Sequence, residues 1–182
     1  MRRVKQSLFV SFALLLSTIG QAQLEAAYLH TKGFNAIGFG GHLNFKFPIG
    51  DAAYLTTEAG FYIFQKNESN VAVAPILLGY QRTFDGTGTG FFIEPLAGYS
   101  FGGTDLYMYS ENGSPLSDPN NPGEWWEYKA EGPTAGIAFG YITRGDKPLT
   151  IGLRYERVFV SSTPALNLAS LRFTWPLFGG RN

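Results

Sequence analysis

Residues 36–47 have the sequence Ala-Ile-Gly-Phe-Gly-Gly-His-Leu-Asn-Phe-Lys-Phe, and this stretch decides the fold. Its large apolar side chains stand only at odd positions, whereas the even positions carry small or polar residues. Because side chains of a β-strand alternate between two faces, this pattern predicts a strand with one apolar face and one small or polar face. The same two-faced pattern recurs down the chain, which predicts an all-β protein.

The first 22 residues have the layout of a secretory signal peptide. Residues 1–5 are basic, residues 7–20 form a short apolar stretch, and Gly20 and Ala22 place small residues at −3 and −1 of a cleavage site. The apolar stretch is too short to span a bilayer comfortably as a helix. We therefore predict a signal peptide over 1–22 and a single exported domain over 23–182.

Net charge and cysteine content exclude two classes of protein. The chain has 14 basic and 14 acidic residues. Loss of Arg2, Arg3 and Lys5 with the signal peptide leaves 11 basic residues against 14 acidic ones, a net charge of −3. Without a basic excess, nucleic acid is not an expected partner. The absence of cysteine excludes a disulfide-stapled scaffold.

Eight strand candidates follow from the alternation rule, and several reach the ~9–11 residues that a tilted strand needs to cross a bilayer. They lie near 23–31, 36–48, 52–65, 71–84, 89–102, 133–143, 149–160 and 166–177.

The length of a connection depends on whether it follows an even-numbered or an odd-numbered strand candidate. Turn clusters at 48–51, 85–88 and 143–148 follow the second, fourth and sixth candidates, and the long connection 103–132 follows the fifth. With the N-terminus in the periplasm, the short turns are periplasmic and the long loop is external. This asymmetry is typical of outer-membrane barrels. The prediction is an eight-stranded antiparallel up-and-down transmembrane β-barrel in the outer membrane, as a monomer.

The two faces of the strands differ in character. One face is aliphatic and aromatic, with aromatic side chains gathered near strand ends, as expected where a barrel meets the headgroups. These are Phe47, Tyr80, Phe91, Tyr141 and Trp175 at one rim and Phe61, Tyr99, Phe101 and Phe159 at the other. The opposite face combines glycines with three acids and three bases. Those charged residues are Lys46, Glu58, Glu94, Arg154, Glu156 and Arg172.

Charges inside a narrow barrel must be paired, because an isolated buried ion costs several kcal/mol. The balanced set therefore predicts an internal salt-bridge network that plugs the lumen. The alternative is a soluble periplasmic barrel or sandwich with the apolar face inside and the charges in water. The rim aromatics, the loop parity and the glycine-rich polar face favour the membrane barrel.

Two neighbouring stretches carry a family resemblance. Residues 73–80 (Val-Ala-Pro-Ile-Leu-Leu-Gly-Tyr) and 90–100 (Gly-Phe-Phe-Ile-Glu-Pro-Leu-Ala-Gly-Tyr-Ser) resemble the middle hairpin of porin-like outer-membrane β-barrel domain proteins, small barrels of the OmpA/OmpX type. The resemblance implies eight antiparallel strands, outer-membrane residence and no enzymatic activity. Leu171, Phe173 and Trp175 also form the alternating C-terminal pattern that barrel-assembly machinery recognises in such proteins.

The external loop is the most distinctive segment. Residues 105–131 contain six acidic residues and one base, Lys129. Trp125, Trp126 and Tyr128 follow a proline-rich stretch, and such aromatic side chains stack on sugar rings or anchor protein partners. We predict that they contact an extracellular protein or glycan. The alternative is that they fold onto the barrel mouth or enter the headgroups.

No residue set predicts catalysis, a metal site or a cofactor. His30 and His42 lack the spacing of a metal pair. The predicted function is a structural or surface-interaction role in contact with outer-membrane lipids. One alternative is a narrow channel or carrier of small hydrophobic solutes. Its path would be lined by Tyr54, Tyr62, Phe64, Phe92 and Leu96.

A second alternative is a lipid A-modifying enzyme. It would use Ser161 or Ser162 as nucleophile with His30 as base, which requires the first and last strands to meet.

Overall fold

A computed structural model describes residues 20–31, 34–66, 69–105, 127–128, 130–160 and 165–177. They form nine antiparallel strands. The strands are β1 (Gly20–Thr31), β2 (Phe34–Gly50), β3 (Ala53–Lys66), β4 (Ser69–Thr83), β5 (Gly90–Asp105), β6 (Glu127–Tyr128), β7 (Gly132–Ile142), β8 (Thr150–Val158) and β9 (Leu166–Pro176). In this part of the chain, no helix has the length and apolarity needed to cross a membrane.

Eight of these strands close into an up-and-down barrel. Each pairs with its neighbour in sequence, β5 pairs with β7, and β9 returns to pair with β1. The two-residue β6 pairs with Thr104 and Asp105 and extends the hairpin beyond the barrel wall. We call this end the loop end, and the end where β1 begins and β9 stops the terminal end. The predicted fold class is confirmed.

The strand register fixes the tilt. Partner residues followed around the barrel from Phe91 of β5 pass through Tyr141, Ile151 and onward until they return to β5 at Phe101. The path therefore climbs ten residues in one circuit. A stagger of this kind is what allows strands to close a barrel at a tilt of about 35–45°. An eight-stranded barrel leaves an interior just wide enough for side chains to fill.

Several strands extend beyond the predicted boundaries, and two of these extensions bear on the predicted segments. β1 begins at Gly20, so a cleavage after Ala22 would remove three residues that pair with β2. The cleavage position remains a prediction. β5 continues to Asp105, so pairing runs three residues into the segment 103–132 that we predicted as a loop.

Two prolines lie inside strands, and each interrupts one of its two ladders. The β3–β4 register has a gap between Ala59–Ile76 and Tyr62–Val73, beside Pro75. The β4–β5 register has a similar gap beside Pro95. Since proline has no N–H, each can keep regular pairing on only one side. Pro75 stays paired with β5 and Pro95 stays paired with β7.

The burial pattern separates the two faces. β4 and β8 alternate strictly between buried and exposed positions. Most large apolar side chains point outward, and the most exposed of them is Ile37 at 78%. Glu58, Glu94 and Arg172 point inward and are buried. This arrangement is the reverse of a soluble sandwich, in which the apolar face would be covered.

Candidate functional site

The middle of the lumen contains a cluster of ion pairs centred on Arg154 of β8. Its guanidinium contacts Glu25 at 2.8 Å and Glu156 at 3.3 Å, and it also pairs with Glu58. All four side chains are buried. A single planar cation therefore contacts three carboxylates that come from three different strands, which suits the forked donor geometry of arginine.

Arg172 of β9 forms the second centre. It pairs with Glu94 and lies 3.4 Å from Glu58, so Glu58 bridges the two arginines. Its guanidinium also lies over the Phe92 ring, 5.2 Å from the centroid. Lys46 lies nearer the terminal end, is half-buried, and forms no ion pair within 4.0 Å with another described residue. Five of the six predicted charges thus come together, and Lys46 stands apart from their contacts.

Neutral side chains complete the cluster. The Tyr62 hydroxyl donates to Glu25 at 2.7 Å, and Ser170 donates to the same carboxylate. Thr56 donates to Glu94 at 2.7 Å. Because carboxylates are acceptors only, these hydroxyls use lone pairs that the arginines leave free. We call the ion pairs and these hydroxyls the charged layer.

Small residues on neighbouring strands make room for the long charged side chains. Opposite Glu25, Arg172 and Glu156 the partner strands carry Gly40, Gly152 and Gly136. Opposite Arg154 the partner is Ala138. Packing therefore explains why the inner face is rich in glycine: these residues leave space for the long charged side chains.

Among the titratable side chains of the lumen, sequence reasoning missed Glu25, and it did not connect the lumen-facing His42 with the charges. Glu25 contacts Arg154, and His42 lies beside Glu25 with an Nδ1–Oε1 distance of 3.6 Å. With Glu25, four carboxylates contact two arginines, so the predicted balance of three acids against three bases does not describe the network. Glu25 lies in β1, where the alternation of Gln23, Glu25, Ala27 and Leu29 would have placed it inside.

The loop end of the lumen has a different filling. Beyond the charged layer most inward side chains are apolar and almost fully buried, and they are joined by a few buried hydroxyls such as those of Ser100 and Thr134. This loop-side cluster comprises Ala27, Leu29, Phe34, Ala36, Tyr62, Phe64, Val71, Val73, Ala130, Val158, Leu166 and Leu168. Tyr62 and Phe64 stack with ring centroids 6.0 Å apart. These two rings were predicted to line a solute path, but both are 0% exposed.

The outer surface is an apolar band with aromatic side chains at both ends. Phe91 packs on Tyr141 at the terminal end, with centroids 5.1 Å apart. Tyr99 packs on Phe101 towards the loop end, with centroids 4.9 Å apart. Outside a membrane, these exposed rings would be an extended aggregation surface.

Several candidate residues lie outside the described part of the chain. Trp125, Trp126, Ser161 and Ser162 are among them, and Tyr128 is described only as part of β6. Within the described ranges, no group of three or more histidine or acidic side chains is arranged to hold a metal ion. His30 points outward near the loop end, away from the lumen.

No protein-family model matches the chain, and no curated protein matches it in sequence. Its fold, however, matches solved structures. It is similar to Ail, the attachment invasion locus protein of Yersinia pestis, with a TM-score of 0.60 and 8% identity over 86% of this chain and 95% of Ail.

Neisserial surface protein A, NspA, gives a TM-score of 0.57 and 16% identity over 87% of this chain and 96% of NspA. The fold is that of the small OmpA/OmpX-type barrels. A second Ail structure, in complex with the heparin analogue sucrose octasulfate, gives a TM-score of 0.56 and 10% identity over 86% of this chain and 96% of that one. At these identities the likeness concerns the fold.

Proposed function

We propose that this chain is a non-enzymatic outer-membrane barrel with a closed lumen and a structural or surface-interaction role. The observation that carries the proposal is the inverted burial: Phe39 and Leu153 are 68% and 63% exposed, whereas Arg154 and Glu58 are buried inside. Burying such a band in lipid removes its contact with water, and a closed barrel leaves no unpaired strand edge in the bilayer. The shared fold with outer-membrane proteins supports the same location.

Two stacked layers support a closed lumen. Arg154 and Arg172 draw carboxylates from opposite walls to the axis of the barrel. Above them, Leu29, Phe64 and Val71 are 0% exposed, which supports close packing of the apolar side chains across this part of the lumen. An ion crossing this segment would have to leave water and would meet few polar groups, which costs several kcal/mol.

The segment 103–132 is proposed as the contact surface, with Trp125, Trp126 and Tyr128 as anchors. Sucrose octasulfate, which Ail binds, is strongly anionic. This segment carries six acidic residues and one base between 105 and 131, so it would repel such a ligand. We therefore propose a basic protein surface or an uncharged glycan as partner.

Fractionation tests the location. The full-length protein should be found with outer membranes and should migrate faster on gels when it is not heated, as closed barrels do. Recovery in the soluble periplasmic fraction would disprove the proposal. Cells that lack the gene should keep an unchanged lipid A profile, and a changed profile would favour the enzyme alternative.

Planar-bilayer recording tests the closed lumen against the channel or carrier alternative. The purified protein should show no stable conductance. The double variant Tyr62→Ala, Phe64→Ala should open the loop-side cluster and raise conductance, whereas Phe61→Ala, Ile63→Ala on the outward face of the same strand should not. Stable conductance of the unaltered protein would refute the closed lumen.

A further inference from the structure

The charges in the middle of the lumen do not balance. Among the described side chains there, four carboxylates face three permanent cations: Glu25, Glu58, Glu94 and Glu156 against Lys46, Arg154 and Arg172. A net charge sealed away from water is strongly unfavourable, so the layer is expected to bind one further positive charge. Since no described cluster of acidic or histidine side chains is arranged to hold a metal ion, a proton is the simplest candidate.

Glu156 has the weakest polar contacts of the four carboxylates. Its Oε1 lies 3.3 Å from an Arg154 nitrogen that already donates to Glu25 at 2.8 Å. This oxygen is buried and has no hydrogen-bond partner among the described residues. Each of the other three carboxylates accepts hydrogen bonds from three or four side chains. Glu156 therefore gains least from being ionised.

The surroundings of Glu156 also disfavour a charge. It lies where the charged layer meets the loop-side cluster, because its strand partner is Leu168 and the next inward residue of β8 is Val158. On the other side it faces Gly136 of β7, where an added methyl group would lie 2.9 Å from its Cγ. Such close apolar neighbours favour the neutral form of a carboxyl group.

The charged neighbours of Glu156 do not offset this. The charged and titratable side chains that face it are Arg154 on its own strand, Glu25 of β1, Glu58 and Tyr62 of β3, and Arg172 of β9. At this height the inward residues of β7 are Thr134, Gly136 and Ala138, none of which titrates. Two ionised carboxylates already share the Arg154 guanidinium, and a third negative charge there would be repelled by both.

We propose that the charged layer binds one exchangeable proton, which Glu156 carries as a neutral carboxylic acid at neutral pH. Three ionised carboxylates then balance three cations, and the uncharged Glu156 borders the loop-side cluster. The inference rests on the proposed closed lumen, because water in an open lumen would solvate an ionised Glu156.

His42 is the other group that could take the proton. An imidazolium donates from both ring nitrogens, but neither nitrogen of His42 has a hydrogen-bond partner among the described residues. Its Nδ1 lies 3.6 Å from Glu25, and its ring packs edge-on against Tyr62 with centroids 4.8 Å apart. These contacts suit a neutral ring, so the geometry favours Glu156.

The first test compares urea unfolding of the full-length protein and of Glu156→Gln in lipid vesicles between about pH 4 and pH 8. Near pH 4 the two should be nearly equally stable, because glutamine resembles the protonated side chain. Above the ordinary glutamate pKa of about 4.3 the unfolded chain releases the proton while the folded barrel keeps it. Relative to Glu156→Gln, the folding equilibrium constant of the unaltered protein should therefore fall by up to about tenfold per pH unit.

The matched control is Glu58→Gln, which removes a carboxylate that Arg154 and Arg172 both contact. Its folding equilibrium constant at pH 7 should be lower than that of the unaltered protein by about a hundredfold or more, because two buried cations lose a shared partner. The two substitutions should thus act in opposite directions at pH 7. A loss of stability for Glu156→Gln at pH 7 would overturn the inference.

Infrared spectroscopy in D2O detects the proton directly and needs no variant to fold. At pH 7 the folded unaltered protein should show the C=O stretch of one protonated carboxyl group, and unfolding in urea should abolish it. Glu156→Gln should lack this band, and Glu58→Gln should keep it. A folded protein without the band at pH 7 would overturn the inference. If the barrel does not conduct but lacks the band, only the proton proposal fails, whereas stable conductance would refute the proposed closed lumen.

Discussion

The loop end and the middle of the lumen are filled in opposite ways. Towards the loop end, Leu29, Phe64 and Val71 pack as they would in the core of a soluble protein. In the middle, Arg154 and Arg172 hold four carboxylates in a buried network. The same backbone geometry surrounds both regions. The contrast therefore teaches that the chemistry of the side chains decides how much stability a substitution in the lumen costs.

Each filling has its own weakness. An apolar cluster tolerates loss of a side chain at the cost of a cavity, which scales with the volume removed. A buried ion network is more sensitive, because losing one partner leaves the others charged and unpaired. The predictions below compare these sensitivities, from the largest expected effect to the smallest.

Removal of the Arg154 charge should have the largest effect. Arg154→Met keeps most of the side-chain volume but leaves Glu25, Glu58 and Glu156 without their shared cation. We expect the free energy of unfolding to fall by about 3–5 kcal/mol. Urea unfolding in lipid vesicles, followed by tryptophan fluorescence, measures the change.

The control for this prediction is Arg144→Met, because Arg144 is exposed and lies 3.9 Å from Asp85. Exposed pairs of this kind contribute about 0–1 kcal/mol, so its loss should be small. Equal effects of the two substitutions would mean that the lumen network is no more sensitive than a surface contact.

Truncation of the loop-side cluster should cost somewhat less. Phe64→Ala removes a fully buried ring that stacks on Tyr62, and we expect a loss of about 3 kcal/mol. Phe61→Ala, on the outward face of the same strand, is the matched control because Phe61 is 50% exposed. The same unfolding assay should find the smaller loss for Phe61→Ala. The reverse order would indicate that the lumen is not packed.

A glycine beside the charged layer tests how tightly that layer is packed. A methyl group at Gly60 would overlap the His42 ring and the Gly41 carbonyl oxygen, whereas one at Gly103 would meet no atom within 4 Å. We expect Gly60→Ala to lower the free energy of unfolding by about 1–3 kcal/mol. Gly103→Ala should leave it nearly unchanged. Similar unfolding midpoints for the two variants would contradict close packing around His42.

Alternation predicted the strands and their two faces, whereas the rim aromatics, the loop parity and the glycine-rich polar face were needed to predict a barrel with the polar face inside. In residues 36–47 only every second side chain can face the inside of the barrel. The structure places the even positions there, which are the small and polar ones. The positions of Glu58, Glu94 and Arg154 on the inner face follow from the same rule. The partners of each charge could not be predicted, because they depend on the stagger around the barrel. That stagger is visible only when β1 is paired with both β2 and β9.

Three features lay beyond the sequence pattern. Glu25 was missed because inner-face charges were assigned only for the strands after the first, although Glu25 lies within the predicted strand 23–31 and its alternation points inward. Lys46 was grouped with the network because it lies on the same face, but it pairs with Thr56, two residues nearer the terminal end than Glu58. The loop-side cluster was not anticipated either, because Leu29 and Leu168 obey the same alternation as the charged residues and differ only in height along the axis.

The smallest expected effect concerns a carboxylate outside the lumen. Asp85, in the β4–β5 turn, accepts hydrogen bonds from the Thr87 hydroxyl at 2.6 Å, the Thr87 N–H at 2.9 Å and the Thr89 hydroxyl at 2.8 Å. These bonds, chiefly those from Thr87, hold the pKa of Asp85 well below its ordinary value. A lowered pKa means that the stabilisation is fully present above the unfolded-state pKa of about 3.9 and declines as the pH falls below it.

Asp85→Asn removes the charge while it keeps an oxygen acceptor. The unaltered protein should therefore unfold at slightly higher urea concentration than the variant at pH 7, and the difference should shrink below about pH 4. A difference that stays constant down to pH 2.5 would mean that the charge contributes nothing to the turn. The exposed carboxylate is satisfied by neighbours two and four residues away, so its loss should affect one turn. The buried carboxylates are satisfied by arginines from distant strands, so theirs should affect the whole barrel.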